Sequence, residues 1–387
     1  LVQIQLPAHD RVYELGRLDI TIIDAGKDYA KALVNDKKIA MLKNMGYRVD
    51  VLIEDYQAYK DEIFRRGFYH TYNQVYLVLD SFVTNYPSLC HLDTAGLSIQ
   101  GRAIWAMRVT DNPTIEENEA EIRLAGNIHG DEHIGTEITL YFLRHLLTNY
   151  ASNPQVQNIV NNREIWVLPV LNPDGNVANT RENSNGVDLN RDYGFFWAGW
   201  GGSPGPSSQL ENQQAMKNLL ANNFSIEHNY HSAAAYVNYL WDYHQSDPPD
   251  SQHIISLSQV YADSSGLTII NGYDWYQVCG SLQDYTFGTS GALAWTIETD
   301  EPIGSSAIDQ ICYDNRDALM DICNRAGWGI EGVVRDSITN APVYARIEIT
   351  NPQRVDVYSD QNLGDFHKMI QAGTYSLQVS ANGYNPK

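Results

Sequence analysis

The sequence predicts an α/β protein with a mixed central sheet flanked by helices, followed by a small all-β sandwich. Between residues 69 and 327, short apolar strands alternate with helical patterns, which is typical of α/β domains. After Gly329 the pattern changes to short alternating strands separated by turn residues, which favours a β-sandwich. We therefore predict that the 387 residues form three domains, with bounds at 1–67, 68–327 and 328–387.

The N-terminal domain has the pattern of a small β-α-β unit. Apolar residues predict one strand near Ile20–Ile23 and another after Gly46, and residues 32–44 between them have helical spacing. We expect this domain to be an appendage to the main body. It is either the remnant of a pro-segment or additional scaffold, and the sequence leaves both interpretations open.

The composition argues against several kinds of partner. The chain has 26 basic and 47 acidic residues, so its net charge of −21 repels phosphate groups, and nucleic acid is not expected to bind. No apolar run reaches the roughly 18 residues that a membrane helix needs. Because the sequence begins with Leu1 and not with methionine, we expect a processed protein that is secreted, periplasmic or extracellular. We also expect it to be a monomer.

The cysteines do not indicate a disulfide scaffold. There are four of them and no C-x-x-C pair, which is too few for a fold held together by disulfides. If the last two share a helix, eleven residues separate them by about 16 Å, too far for a bond. Their redox state stays open: Cys90, Cys279, Cys312 and Cys323.

A candidate metal motif follows one buried strand of the main domain. Residues 121–126 predict a strand that ends in a tight turn, and the turn contains His129 and Glu132 before an amphipathic helix. Zinc prefers His nitrogen and carboxylate oxygen where Cys is absent, and residues three apart can reach one ion. The motif is weak alone, because the same spacing recurs at His244 and Asp247, and a surface turn histidine is the ordinary alternative.

Further motifs follow His129 and Glu132 along the chain. They are the turn N-P-D-G at 172–175, the run from Arg181 through G-V-D-L-N-R at 186–191, His231 after the strand-like residues 226–230, and the interval from Tyr276 to Glu298. In this order the motifs resemble those of the zinc carboxypeptidases, the group that contains carboxypeptidases A, B, D, E and M. The resemblance covers about residues 69–324.

The resemblance implies a single zinc ion in the main domain. His129, Glu132 and His231 would hold it and leave the fourth position to water, as in the His, His, Glu site of carboxypeptidase A. Asp188 would orient the first histidine, a role that ligand histidines generally need filled. Without the resemblance, His231 is an ordinary strand-end residue and Asp188 a turn-capping aspartate.

The resemblance also assigns the reacting groups. Glu298 would be the general base, and Arg181 would stabilise the oxyanion. Asn190, Arg191 and Tyr276 would bind the terminal carboxylate of the substrate, for which the planar fork of arginine is suited. Outside this family, Glu298 is a solvated strand-end acid and Arg191 a solvated charge.

Two positions bear on substrate preference. Asp242 and Gln283 fall where the family lines the pocket for the terminal side chain. An acid at that place implies a preference for terminal Arg or Lys. The alternative for Asp242 is a surface loop carboxylate. His133 and His145 are interpreted as structural, and residues 195–206 as a rim loop.

These inferences predict a zinc-dependent exopeptidase that hydrolyses the C-terminal residue of peptides and proteins with a metal-activated water. One alternative is a peptidase of cell-wall or γ-glutamyl peptides, because those substrates also end in a carboxylate. An alternative from another class is a non-catalytic peptide-binding module. The tail after Gly329 resembles the transthyretin-like sandwich that follows the catalytic domain in one branch of the family, where we expect a folding or contact module.

Overall fold

The first described part of the chain is an antiparallel sheet with two helices. The computed structural model describes residues 1–7, 11–18, 20–26, 28–56, 58 and 68–387. The first four strands form one sheet in the order β2-β3-β1-β4, and all neighbours are antiparallel. The elements are β1 (Val2–Gln5), α1 (Val12–Arg17), β2 (Thr21–Ala25), β3 (Tyr29–Leu33), α2 (Asp36–Asn44) and β4 (Arg48–Val51).

This N-terminal unit is a β-α-β-β-α-β arrangement, larger than the predicted β-α-β pattern. The predicted strands overlap β2 and β4, but the first residues of the predicted helical stretch 32–44 belong to β3. Ala30 and Ala32 on that strand are buried. Alanine, lysine and leucine favour helices, so this short strand could not be separated from the helix by composition. The helix begins later because the Asn35 side chain accepts a hydrogen bond from the Lys38 amide.

The main body contains the predicted mixed sheet, with eight strands in the order β11-β10-β12-β9-β7-β8-β6-β5. Strands β9, β7 and β8 are parallel to one another, as are β12 and β9, whereas β5, β6 and β10 pair antiparallel with their neighbours on the inner side. The strands are β5 (Cys90–Leu97), β6 (Ala103–Val109), β7 (Ala120–Gly126), β8 (Arg163–Leu168), β9 (Phe224–Ser232), β10 (Tyr236–Tyr239), β11 (Thr268–Asn271) and β12 (Leu293–Thr299).

Helices cover both faces of this sheet and form a separate apolar core on each face. A capping box starts the first of them, since Thr71 and Gln74 satisfy each other's backbone amides. The long last helix contains both Cys312 and Cys323, and all four cysteines are free thiols. The helices are α3 (Tyr72–Asn85), α4 (Ile134–Asn149), α5 (Pro154–Val160), α6 (Pro173–Ala178), α7 (Leu210–Ala221), α8 (Ser251–Ser265), α9 (Gly272–Trp275), α10 (Leu282–Ser290) and α11 (Ser305–Arg325).

The sheet register brings three strand ends to one edge. Gly126 at the end of β7 lies opposite Tyr230 on β9, and Glu298 on β12 lies opposite His231 on β9. Because these strands are parallel, their carboxyl ends meet, which is where α/β sheets usually bind ligands. Within the described ranges, no helix is long and apolar enough to cross a membrane.

The C-terminal region forms two small sheets around a minor core of Ile347, Val357 and Phe366. One sheet pairs β13 with β16, and the other has the order β15-β14-β17. Strands β13, β14 and β17 agree with the short strands predicted after Gly329, while the transthyretin-like assignment stays a prediction. The elements are β13 (Gly329–Val333), β14 (Arg346–Asn351), β15 (Val357–Tyr358), β16 (Asp365–Met369) and β17 (Ser376–Ser380).

Candidate active site

Two histidines and one glutamate converge at the shared strand edge. His129 and Glu132 lie in the loop between β7 and α4, in a turn closed by the Glu132 amide and the His129 carbonyl, and His231 is near the end of β9. His129 Nδ1 lies 2.9 Å from Glu132 Oε1 and 3.0 Å from His231 Nδ1. His231 Nδ1 lies 2.9 Å from Glu132 Oε2. All three residues are buried.

A buried asparagine shapes the loop that carries the first two of these residues. Asn127 has φ +56°, a left-handed conformation that Asn tolerates better than most residues. Its side-chain Nδ2 lies 2.9, 3.2 and 3.0 Å from the carbonyl oxygens of His129, Gly130 and Glu132. Gly130 is needed because a Cβ there would lie 2.0 Å from the Gly175 carbonyl carbon. The Asn127 side chain and the Gly175 backbone therefore restrict the conformation of this loop.

The first histidine is oriented by Asp188. His129 Nε2 lies 3.1 Å from Asp188 Oδ1, so the ring N–H at Nε2 donates to the carboxylate and Nδ1 faces the other metal-binding candidates. Arg181 donates to the other oxygen of Asp188, through Nε at 3.0 Å and through a terminal nitrogen at 2.8 Å. Burial would raise the pKa of Asp188, but Arg181 and His129 outweigh it and hold that pKa well below its usual value.

The second histidine has a partner that sequence reasoning missed. His231 Nε2 lies 2.8 Å from the side-chain Nδ2 of Asn229, while Asn229 Oδ1 has no hydrogen-bond partner among the described residues. Exchanging the oxygen and nitrogen of this amide satisfies both groups, because Oδ1 then accepts the ring N–H. Asn229 precedes His231 by two residues on one strand, so both point to the same face. That spacing is the only signal of this contact in the sequence.

The donor set fits a zinc ion. Two imidazole nitrogens and one carboxylate are zinc ligands, and they lie close enough together to surround one small ion. Each histidine has its other nitrogen engaged, which fixes which nitrogen faces the ion. Apolar packing does not explain this cluster, because three buried polar groups in contact are stable only with a shared cation or with bound protons.

Glu298 lies across the same cavity. It is near the end of β12, in register with His231 on one side and Tyr236 on the other, and it lines the cavity with the three metal-binding candidates. Burial raises the pKa of Glu298 well above its usual value, and the nearby charge of Glu132 raises it further. A carboxyl group in such surroundings binds a proton more strongly than an exposed glutamate does.

Two arginines with different partners line this cavity. Arg181 is held between Asp188 and Glu132, with a terminal nitrogen 3.3 Å from Glu132 Oε1. Arg191 is buried, and among the described residues its guanidinium donates hydrogen bonds to the Asn190 carbonyl at 2.9 Å and the Tyr276 hydroxyl at 3.5 Å. In the part of the chain that the structure describes, no carboxylate lies within 4.0 Å of it. Within the described ranges, Arg191 is therefore a buried cation that forms no salt bridge.

Asp242 lies at another wall of the cavity. It is buried, and it accepts hydrogen bonds from Gln283 Nε2 at 2.7 Å and Asn238 Nδ2 at 3.3 Å. It is not a surface loop carboxylate. Gln283 is not among the described residues that line the cavity, because it lies behind Asp242 and also accepts the Thr296 amide at 2.7 Å. Burial raises the pKa of Asp242 to about 6.

The N-terminal unit closes one side of the cavity. Ile22, Leu33 and Tyr56 line it together with the groups above, and the remaining space is about 40 Å³. That volume holds only a few water molecules. The apolar core of the N-terminal unit continues into the main domain at Trp275 and Tyr276. A larger cleft of about 530 Å³ lies next to the cavity and reaches Arg181 and Arg191.

The remaining predicted residues lie outside the cavity. His133 is buried beneath the loop, where Asn179 Oδ1 lies 2.7 Å from its Nε2, and His145 contacts Asn149 on helix α4. Neither histidine is among the described residues that line the cavity, and their structural role stays a prediction. Residues 195–206 form an irregular segment, of which Trp200 lines the adjoining cleft.

Comparisons with known proteins agree with this geometry. A family model described as zinc carboxypeptidase matches residues 75–317. Human carboxypeptidase D is 27% identical over 360 residues, covering 82% of this chain and 25% of the human sequence. Mouse carboxypeptidase M is 26% identical over 356 residues, covering 82% of this chain and 79% of the mouse sequence. The chain thus spans about a quarter of the length of the carboxypeptidase D sequences that it matches.

The fold is also similar to solved structures. Carboxypeptidase A from Helicoverpa armigera superposes with a TM-score of 0.71 and 18% identity, and the match covers 84% of this chain and 96% of that chain. At this identity the likeness shows a common fold. It agrees with the mixed sheet flanked by helices described above.

Proposed function

We propose that this chain, which belongs to the zinc carboxypeptidase family and is a zinc hydrolase, removes the C-terminal residue of peptides and proteins. One observation carries the proposal: Arg191 is a buried guanidinium with no acidic partner among the described residues, next to the metal-binding candidates. A buried charge is costly unless it is paired. A substrate carboxylate supplies the missing charge and can accept two hydrogen bonds from one guanidinium.

Neighbouring groups complete a carboxylate site around Arg191. The Tyr276 hydroxyl lies 3.5 Å from the guanidinium, and Asn190 Oδ1 accepts the Leu282 amide at 2.9 Å. That hydrogen bond fixes the Asn190 amide and leaves its NH₂ group as a donor. Arg191, Tyr276 and Asn190 thus offer three donors to a terminal carboxylate, which an internal peptide bond lacks. The site therefore favours exopeptidase activity over endopeptidase activity.

The reaction uses groups on two strand ends. Zinc, when bound by His129, Glu132 and His231, supplies a Lewis acid that polarises a carbonyl oxygen and makes water more acidic. Glu298 takes the proton of the attacking water as the new C–O bond forms. It then gives that proton to the amine as the C–N bond breaks. Burial raises the pKa of Glu298, so its ionised carboxylate is a stronger base than that of an exposed glutamate.

Arg181 stabilises the charge that develops on the substrate carbonyl oxygen. Asp188 and Glu132 hold its guanidinium in place before substrate arrives. Burial would lower the pKa of Arg181, but those two carboxylates raise it above its usual value, so the group stays cationic. A fixed cation needs no reorganisation when the oxyanion forms.

We propose a preference for terminal Arg or Lys. Asp242 supports it because this carboxylate lies in the wall of the cavity that also contains Arg191 and Tyr276. Gln283 contributes indirectly by donating to Asp242 at 2.7 Å and fixing the carboxylate. A leucine side chain offers nothing to a buried carboxylate, whereas a guanidinium neutralises it.

We further propose that the N-terminal unit restricts access to this site, as a pro-segment does. The support is its contribution of Ile22, Leu33 and Tyr56 to a cavity of about 40 Å³. The proposed domain bounds remain 1–67, 68–327 and 328–387. Export and a monomeric state remain predictions, which cell fractionation and size-exclusion chromatography would check.

Two other functions make different predictions. A peptidase of cell-wall or γ-glutamyl peptides needs the same carboxylate site but gains nothing from Asp242. Peptides ending in Arg, Leu, Glu or diaminopimelate separate the two, since equal rates on all ends would remove the basic preference. A non-catalytic peptide-binding module needs no base, although Glu298 lines the cavity here.

The decisive experiment for the main proposal uses one peptide with a free C-terminus and the same peptide with an amidated C-terminus. Parent protein should hydrolyse only the free form. Arg191→Ala should reduce kcat/KM by about 100-fold or more, because a buried charge-assisted pair is lost. Glu298→Gln should abolish turnover and keep the zinc. Hydrolysis of the amidated peptide at an equal rate would refute the proposal.

A further inference from the structure

Glu301 links the two segments that carry the metal-binding residues. It follows β12 by two residues and comes three residues after Glu298. Its Oε1 accepts the His133 backbone amide at 2.9 Å, and its Oε2 accepts the Ser232 hydroxyl at 2.5 Å. His133 is the residue after Glu132, and Ser232 is the residue after His231. One carboxylate thus reaches both segments at once.

Each of these hydrogen bonds anchors one of the two segments. The His133 amide lies at the N-terminus of α4, where backbone amides have no partner within the helix. A carboxylate is favourable there because it also faces the positive end of the helix dipole. Ser232 follows the last metal-binding candidate, and its own amide donates to Glu132 Oε2 at 3.1 Å. Both segments are therefore anchored on either side of the cluster.

The contacts form a closed circuit around the cluster. From Glu301 the circuit passes through Ser232 to the Glu132 carboxylate and returns along the backbone to the His133 amide. Each member restricts the rotation of the next one. A loop and a strand end that come from distant parts of the chain are thereby held at a constant separation.

We propose that Glu301 is a positioning residue that presets the zinc site by clamping the Glu132 segment to the His231 segment. The proposal rests on the assignment of His129, Glu132 and His231 as zinc ligands. It goes beyond that assignment, because Glu301 is neither a proposed zinc ligand nor among the described residues that line the cavity.

The chain offers a matched control one residue away. Asp300 carries the same charge on the same segment, but its side chain is exposed. Replacing either residue by alanine removes one negative charge near the site. Only Glu301→Ala removes the two hydrogen bonds, so the comparison separates the clamp from general electrostatics.

Zinc affinity, measured by competition with a chelator, tests the clamp directly. Glu301→Ala should weaken zinc binding by about 10- to 100-fold, the range for lost partners of metal ligands, whereas Asp300→Ala should stay within about twofold. Glu301→Gln keeps an acceptor for the His133 amide, so its zinc affinity should lie between those of Glu301→Ala and Asp300→Ala. Ser232→Ala combined with Glu301→Ala should cost less than the sum of the single effects, because each variant alone already removes the hydrogen bond between Ser232 and Glu301.

Two further measurements keep the result unambiguous. Amide exchange of His133 in zinc-free protein should speed up in Glu301→Ala and not in Asp300→Ala, even if the alanine variant is less stable overall. His231→Ala should lose stoichiometric zinc binding. If His231→Ala binds zinc as the parent does, the ligand assignment and the clamp both fall. If it loses zinc while Glu301→Ala and Glu301→Gln bind as the parent does, the clamp alone falls.

Discussion

The two β-rich ends of the molecule attach to the catalytic domain in different ways. The N-terminal unit joins it through a continuous apolar core that includes Trp275 and Tyr276 beside the active site. The C-terminal region contributes Met369 to the main apolar core and also joins the catalytic domain through buried ions. Lys368 donates to the Gly291 carbonyl at 2.9 Å and lies 3.6 Å from Asp250, and Arg354 pairs with Asp250 at 2.7 Å.

The difference concerns how each contact can be undone. Apolar contacts are non-directional, so a unit held by them can separate and return at a free-energy cost proportional to the apolar area exposed. A buried ion network needs all its members in place, since any one left alone is a buried unpaired charge. The first kind of attachment suits a removable cover next to the active site. The second suits a permanent contact far from it.

The largest expected effect tests the permanent contact. Lys368→Met keeps the length of the side chain but leaves Asp250 with one partner fewer, so we expect the free energy of unfolding to fall by about 3 kcal/mol. Activity of the folded protein should not change. The exposed Lys217 on α7 provides the control, because Lys217→Met removes the same charge without a buried partner. Denaturant unfolding measures both, and a difference below about 1 kcal/mol would contradict the described network.

The next largest effect tests the removable cover. Leu33 lies on β3 and lines the cavity from the N-terminal unit. Leu33→Ala reduces apolar contact across the cleft, so kcat/KM for a small substrate should rise by about five- to tenfold as the open population grows.

Leu52→Ala is the control for the cover, because Leu52 belongs to the same unit and is 48% exposed. It should leave kcat/KM unchanged. Equal rates in parent and Leu33→Ala, with the N-terminal unit folded in both, would show that this unit does not limit access. Circular dichroism and limited proteolysis establish that folding.

A smaller effect should appear with pH on the active-site side only. Burial raises the pKa of Asp242 to about 6, so its carboxylate is charged above that pH and becomes neutral as the pH falls through it. Attraction to a terminal arginine is therefore present at higher pH and lost at lower pH. The ratio of kcat/KM for Arg-ended to Leu-ended peptides should fall about five- to tenfold between about pH 7.5 and about pH 5.

Using a ratio removes the protonation of other active-site groups from this measurement, because they act on both substrates alike. Asp242→Asn should lower the ratio at the higher pH and remove its pH dependence. A pH-dependent ratio in Asp242→Asn would assign the basic preference to another residue.

Sequence reasoning recovered the parts of the site that have short spacing or a recognisable order. His129 and Glu132 are three residues apart, and the mixed sheet follows from alternating strands and helices. His231 is 102 residues from His129, and the two meet because β7 and β9 are parallel neighbours. Only the resemblance to a family connected them, since local patterns carry no register between distant strands.

The missed contacts have a common physical origin. Glu301 and Asn229 act through hydrogen bonds whose partners are set by the fold, and an acid after a strand or an asparagine within one has no periodic signature. Gln283 was expected at the pocket wall but lies behind Asp242, because the residue order on α10 does not reveal which side chain faces the cavity. Strand β3 was hidden by its helix-favouring composition.

The smallest expected effect comes from an ion pair within the C-terminal region itself. Arg346 donates to Asp356 at 2.5 Å and lies 3.3 Å from Glu348, yet its side chain is 47% exposed. Water and salt screen such a pair, and holding two long side chains costs entropy. Arg346→Ala should therefore leave the Tm within about 1 °C of the parent, whereas Lys368→Met in the same region lowers it by several degrees. Equal shifts would mean that burial does not separate the two ion pairs, and the proposed contrast between the two ends of the molecule would lose its physical basis.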